Sequence, residues 1–497
     1  MEKNRTGKDF IGVSTIILIS KVLGIARTIL LASFIGTTLI ADAYSQVFNI
    51  VPPLLFAAVG MALSSVNIPN MTYYLNERNE QERKRYVSAL FTQIAIISAV
   101  IAALGIILAP LVTKLILPGT DKSVMGTAVS LTRLMFPIII FICLAYIATS
   151  ILQVHKHFLL SSAISIPFNL IIIAAIVLKC DILIIGLTTT VGWLLQFLIQ
   201  IPRLRKDGYY FSLKPDFKNQ HIIDIYRKLV PILLGNAALQ LCILTDTTLG
   251  SNVEGHISAI SYGSTLFMTI TSIFIVAMST VTFPDLSKYC LDKDFEKLRK
   301  LLLYIFKVLS FILIPFVIVV IFYNKEIIEL FYKRGAFNEK SVLLTAPAFL
   351  LYSFCVIGYL FQEVFNRVFY ALKKFKIPAM LSLLCIVLNL IIVLVVYKPY
   401  GIKGIAGATA VSFTIYAILM YFIAKKELGN FLGKEYVGYI LKLLLPAAGM
   451  ALIFLVFGHF HFSGWIKGFL LPLAGGGLVY CVVVYVTGLY KELIKKP

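Results

Sequence analysis

Charge is scarce in this sequence. Asp, Glu, Lys and Arg together make up 14% of its 497 residues, against about 25% in soluble domains. Catalytic signatures are missing too. No H-x-x-E-H, G-x-S-x-G or G-x4-G-K-[S/T] stretch occurs, so metallohydrolase, serine-hydrolase and ATP-driven pump chemistry have no anchor. The six histidines (His155, His157, His221, His256, His459, His461) stand mostly at expected helix ends or in loops. The seven cysteines (Cys143, Cys180, Cys242, Cys290, Cys355, Cys385, Cys481) are widely spaced with no C-x-x-C. They read as small apolar helix residues, not as a metal or disulfide framework. Such a chain is expected to be no enzyme and to hold no cofactor, and any energy coupling would come from an ion gradient, the membrane potential or the substrate's own gradient. No cleavable leader is expected, because Lys3, Arg5 and Lys8 run directly into a helix long enough to span.

What is abundant is apolar surface, with 59% of residues hydrophobic. One soluble core cannot hide that excess, whereas a bilayer solvates it. Runs of roughly 20 apolar residues mark spanning helices. They fall near 10–36, 38–68, 86–115, 124–153, 158–179, 182–202, 222–250, 256–287, 300–323, 341–371, 377–397, 402–424, 436–457 and 466–489. Pro52, Pro53, Pro137 and Pro315 lie inside these runs, where membrane helices tolerate proline as a bend. The reading is an all-α polytopic membrane protein of about fourteen spans. The net charge of +21 would suggest nucleic acid on a soluble face, but here the basic residues sit in short loops and no nucleic-acid partner is expected. With the N-terminus inside, inside loops collect about 29 Lys and Arg and outside loops about 10, as orientation by positive charge requires. Both termini are then cytoplasmic, in a bacterial inner membrane.

The chain also repeats itself. Ala62-x-Ser64-x-Val66-x-x-Pro69-x4-Tyr74 recurs as Ala277-x-Ser279-x-Val281-x-x-Pro284-x4-Tyr289, an offset of 215. Asn169-Leu170-Ile171-Ile172 matches Asn389-Leu390-Ile391-Ile392, Lys156-x-Phe158 matches Lys373-x-Phe375, and Gly186-x-Thr188 matches Gly407-x-Thr409. The common order and near-constant spacing point to a duplication. Six helices per copy is an even number, so both copies enter from the same side as a parallel repeat, which suits alternating access. The expected organisation is a six-helix lobe over 1–220, a second over 221–430, and two extra helices over 431–497.

Charges inside spanning segments are costly and mark function by default. Lys307 and Lys442 lie near span ends, where snorkelling is the simpler reading. Lys21 and Arg27, six positions apart, diverge by roughly 120° around a helix. They can border one wide cavity but not one narrow stripe, and either could pair with an acid such as Asp42. Asp246, with Gln240 and Asn236 nearby in sequence, reads as a coupling-cation site, a counter-charge or an interhelical polar contact. Glu363 and Arg367 form an i, i+4 pair in the favoured orientation.

Several of these residues also carry a family resemblance. Ser20-Lys21-Val22-Leu23-Gly24-Ile25-Ala26-Arg27, followed by Gly36, Asp42-Ala43 and Pro69, resembles the MurJ/MviN lipid II flippases. So do Tyr332-Lys333-Arg334-Gly335-Ala336-Phe337, Arg367-Val368-Phe369-Tyr370-Ala371-Leu372 with Pro378, and Gly404-Ile405-Ala406-Gly407. The order of these elements covers nearly the whole chain. The resemblance implies the MOP-superfamily (MATE-like) fold, a cationic central cavity and a C-terminal pair forming a lipid-facing groove. It implies flipping of undecaprenyl-pyrophosphate-linked peptidoglycan precursor by a monomer, alongside membrane lipids and cell-wall synthesis machinery. Lys21, Arg27, Arg133 and Arg367 would engage substrate, and Asp42, Asp246, Glu363, Gln240 and Asn236 would gate or couple, with a cation of unknown identity as the coupling ion.

The sequence departs from the family where Lys21 replaces an Arg, where Leu55-Phe56-Ala57-Ala58-Val59-Gly60 lacks an Arg pair, and where Thr265 stands for an Arg. These losses keep open another lipid-linked oligosaccharide as cargo. Two further readings are a cation-coupled small-molecule exporter, for which twelve helices would be expected, and a non-transporting scaffold.

Overall fold

A helix is the only way for one apolar segment to satisfy its own backbone in hydrocarbon, and helices make up nearly all of the computed structural model. It describes residues 2–49, 58–210, 216, 218–236, 238–251, 253–459 and 466–494, and no strand occurs among them. The chain divides into two compact units, Met1–Tyr262 with Tyr332–Ser341, and Gly263–Phe331 with Val342–Pro497.

The first unit contains α1 (Glu2–Ile35), α2 (Leu39–Asn49), α3 (Ala58–Glu77), α4 (Glu80–Ile107), α5 (Ala109–Ile116), α6 (Lys122–Met135) and α7 (Ile138–Val154). It continues with α8 (Phe158–Ala163), α9 (Ser165–Val177), α10 (Ile182–Leu198), α11 (Ile201–Lys206), α12 (Gln220–Asn236), α13 (Ala238–Gly250) and the start of α14 (His256–Leu291). Within it α3 packs on α7, α10 on α9, and α1 on α8 and α9. Pro137 stands at the break between α6 and α7, as its missing N–H dictates.

The segment Tyr332–Ser341 belongs to this unit because two glycines allow it to touch the end of α1. Gly36 and Gly335 both adopt positive φ, +58° and +56°. A Cβ on Gly335 would stand 2.3 Å from the Ser33 carbonyl, and one on Gly36 2.5 Å from that of Ala336. The Ala336 N–H donates to Ser33 O at 2.8 Å, and the rings of Tyr262, Tyr332 and Phe337 pack together beside it.

The second unit holds most of α14, then α15 (Phe295–Tyr332), α16 (Glu339–Ser353), α17 (Val356–Ala371), α18 (Lys376–Leu428), α19 (Lys434–His459), a short π-helical turn Ile466–Leu470, α20 (Leu471–Val486) and α21 (Tyr490–Ile494). The spans expected at 377–397 and 402–424 are the two halves of α18, merged across Gly401 at φ +54°. Pro315 lies inside α15, whose one non-helical residue is Tyr323. The Tyr323 ring packs against Phe454 and Phe469, so side-chain packing accompanies the break rather than proline.

Nine helical stretches among the described residues are long and apolar enough to cross a membrane, or ten if α16 and α17, bent by 48°, form one span. Of the other expected spans, 38–68 and 222–250 each include residues outside those described, Pro52 and Pro53 among them, and 10–36 includes undescribed side chains.

Lys307 departs from expectation. Its side chain is 8% exposed, and Nζ donates to Glu435 at 2.7 Å and Glu492 at 2.8 Å. It does not snorkel, because carboxylates more than a hundred residues away reach it. Lys442, by contrast, is 63% exposed and stands 3.6 Å from Glu492.

Candidate functional site

Lys21 and Arg27 line one cavity of about 460 Å³ in the first unit, bounded by α1, α7, α8, α9 and α10. Their divergence around α1 is matched by the breadth of the cavity. Arg27 lies against two aromatic faces, with its guanidinium carbon 5.2 Å from the Phe48 ring centroid and 5.1 Å from that of Phe168. Cation–π attraction of this kind holds a guanidinium without neutralising it.

Local sequence explains the bed. Gly192 on α10 makes room for Phe168, since a Cβ there would stand 2.8 Å from the ring. Trp193 tilts against Phe168 at 5.3 Å. Phe48 stacks on Tyr44, whose hydroxyl meets Thr189 Oγ1 at 3.3 Å. Gly60 on α3 lets Tyr146 of α7 approach, as a Cβ would come within 2.2 Å of its ring.

No carboxylate lies within ion-pair distance of Arg27 among the described residues. The cavity walls also carry buried polar atoms without partners among the described residues: Ser20 Oγ, Asn169 Oδ1 and Trp193 Nε1. The Ser20 hydroxyl and the Trp193 N–H, donors beside an un-neutralised guanidinium, are what an incoming anion with several oxygens would satisfy, whereas Asn169 Oδ1 is an acceptor and would take a donor instead.

The remaining sequence-selected residues lie elsewhere. Asp42 does not pair with Lys21 or Arg27. Its Oδ2 accepts from Gly255 N–H at 2.7 Å, and its Oδ1 from Ser258 N–H at 2.8 Å and Ser258 Oγ at 2.7 Å. A carboxylate there caps the opening turn of α14, where the helix presents free N–H groups. Arg133 is exposed in the last turn of α6. Asp246 is fully buried in α13, and Gln240 on the same helix has a buried Oε1 without a partner among the described residues. Asn236 ends α12, and its side chain lies outside those described. Glu363 and Arg367 pair at 3.7 Å in the second unit.

Sequence reasoning missed the aromatic and amide part of the cavity. Trp193, one of two tryptophans, and Asn169, alone in an apolar run, were the available signals. Phe48 and Phe168 gave none, because a Phe in an apolar helix is indistinguishable from packing.

The model of the lipid II flippase MurJ family matches residues 31–475. A probable lipid II flippase MurJ of Treponema pallidum (strain Nichols) is 30% identical over 432 residues, 84% of this chain and 81% of the relative. The lipid II flippase MurJ of Burkholderia cenocepacia is 27% identical over 427 residues, covering 84% and 83%. Among solved structures, a lipid II flippase MurJ in an inward closed conformation superposes with a TM-score of 0.80 at 25% identity, covering 98% of this chain and all of that one. An inward-facing MATE-family multidrug transporter of the MOP superfamily shares the fold alone, with a TM-score of 0.68 at 12% identity, covering 85% of this chain and 98% of that one. The chain belongs to the lipid II flippase MurJ family of polytopic membrane transporters.

Proposed function

We propose that this chain moves an undecaprenyl-pyrophosphate-linked peptidoglycan precursor from the inner to the outer leaflet of the bacterial cytoplasmic membrane by alternating access, with both termini on the cytoplasmic side. The observation that carries this reading is Arg27, held on two phenyl faces beside Lys21 in a cavity lined with polar atoms that have no partner among the described residues. A guanidinium offers a planar fork to two phosphate oxygens, whereas Lys21 contributes a point charge. In a weakly polar cavity both attractions exceed their strength in water. The prenyl tail can remain in lipid while the headgroup crosses.

The chain performs no covalent chemistry in this reading, acts as a monomer and needs no cofactor. Asp246 is the residue we assign to coupling, because an ionisable side chain fully buried within a spanning segment is costly and marks function by default. Asp42 serves by holding the start of α14 in place rather than by contacting the pyrophosphate.

The test is growth rescue and lipid II translocation in cells depleted of their own flippase. The parent chain restores both. Arg27→Ala restores neither at equal membrane expression, and Arg27→Lys restores part. Rescue by Arg27→Ala at the parental level would remove this reading.

A further inference from the structure

The second unit contains another cavity, of about 590 Å³, between the first turns of α15, the first turns of α19 and the helix α21. Four lysines line it (Lys300, Lys307, Lys434 and Lys442), against two glutamates, Glu435 and Glu492. Both glutamates are engaged by the buried Lys307. Lys442 shares Glu492 only at 3.6 Å, and no carboxylate lies within ion-pair distance of Lys434 among the described residues. Lys300 is paired with Glu296 at 2.7 Å, so the positive charge of the rim is that of Lys434 and the loosely held Lys442, whereas Lys307 at the floor is outnumbered by its two glutamates.

Two further features favour a ligand. Tyr439, in the cavity wall, is 1% exposed and its hydroxyl has no hydrogen-bond partner among the described residues. A buried hydroxyl without an acceptor is costly, and an anionic oxygen reaching it would remove that cost. From Leu441 onward the same helix exposes Leu441, Leu445, Leu452 and Leu455, each more than half exposed, at the spacing of one helix face. The cationic bowl thus opens at the head of an apolar stripe.

We propose that this cavity binds the headgroup phosphate of an anionic phospholipid, with an acyl chain lying along the Leu441–Leu445 stripe. Lys434 and Lys442 contact the phosphate, and Lys307 with its two glutamates forms the rigid floor. The site shares no residue with the Arg27 cavity and does not depend on the cargo assigned to it.

The test is lipid binding to the full-length chain in detergent, titrated by native mass spectrometry with dioleoyl-phosphatidylglycerol and with dioleoyl-phosphatidylcholine. The parent prefers the anionic lipid. Lys434→Gln/Lys442→Gln loses that preference by about thirtyfold, the sum expected for two basic side chains facing an anionic lipid headgroup. The exposed-lysine control Lys122→Gln/Lys340→Gln binds as the parent does. Tyr439→Phe gives a smaller loss with the fold retained, which keeps the proposal open to test should the double variant prove unstable. Equal binding of the two lipids by the parent, or an unchanged preference in both cavity variants, would falsify the proposal. Displacement of the lipid by equimolar glycerol 1-phosphate would overturn it in favour of a soluble phosphate site.

Discussion

Each unit holds a basic cavity, and the two treat their buried cation in opposite ways. In the first, Arg27 rests on Phe48 and Phe168 with no carboxylate within ion-pair distance among the described residues. In the second, Lys307 is held between Glu435 and Glu492 at 2.7 and 2.8 Å. A ring face steadies a cation and leaves its charge available, whereas two carboxylates more than cancel it and fasten three helices together. Charge kept available suits binding, and charge cancelled suits architecture. The two asparagines that the sequence pattern aligns differ in a related way. Asn169, on the wall of the first cavity, donates to Ser165 O one turn back on its own helix at 2.9 Å. Its counterpart Asn389 is fully buried and donates to Thr409, in the other half of α18, at 2.7 Å.

The sharpest way to break the contrast is to give Arg27 the partner it lacks. Asn169→Asp sets a carboxylate in the Arg27 cavity and is expected to reduce lipid II translocation more than tenfold while leaving membrane expression intact, as scored in the depletion assay. Unchanged translocation would mean that the available charge of Arg27 is irrelevant.

The converse experiment acts on the second cavity. Lys307→Met leaves two facing carboxylates without their cation, and is expected to lower stability by about 1–3 kcal/mol, less than for a fully buried pair because Glu435 is 68% exposed. Thermal unfolding in detergent measures it, and adding Glu435→Gln and Glu492→Gln should recover most of the loss. Gly335→Ala tests a different dependence of the first unit. With φ at +56° and a Cβ 2.3 Å from the Ser33 carbonyl, it is expected to cost about 1–3 kcal/mol by the same measurement.

The smallest effect is a pH dependence outside the spanning segments. His155 Nε2 lies 2.8 Å from Tyr209 Oη. Burial, reinforced by Arg83, His157 and Arg203 and opposed by Asp207, holds this imidazole below its ordinary value. The folded chain therefore binds that proton less readily than the unfolded chain does. Stability is retained above about pH 6.5, the ordinary value, and declines as pH falls below it. A modest fall in Tm between pH 7.5 and 5.5 is expected, and His155→Gln should flatten it.

Much of the architecture was legible because hydropathy and loop charge are local properties. The nine membrane-length stretches, and the bent pair counted as a tenth, all fall on expected spans. The repeat marks Asn169 and Asn389 as equivalent, and the helical angle between Lys21 and Arg27 requires a broad cavity rather than a stripe. Partners were not legible. From sequence Asp42 reads as a companion for Lys21 or Arg27, yet it accepts three hydrogen bonds from residues 255 and 258. Lys307 reads as snorkelling, yet its carboxylates stand 128 and 185 positions away.

The sequence by itself determined that this chain lives in a bilayer, that it is helical, and that a few charges lie within its spans. Those properties follow from composition and period, which each segment carries alone. Tertiary structure decided which of those charges stay available. Away from water, the cost of an ion depends chiefly on the group that faces it, and those groups are set by packing between helices far apart in sequence. Only the folded chain therefore distinguishes Arg27 on its aromatic bed from Lys307 between its two glutamates.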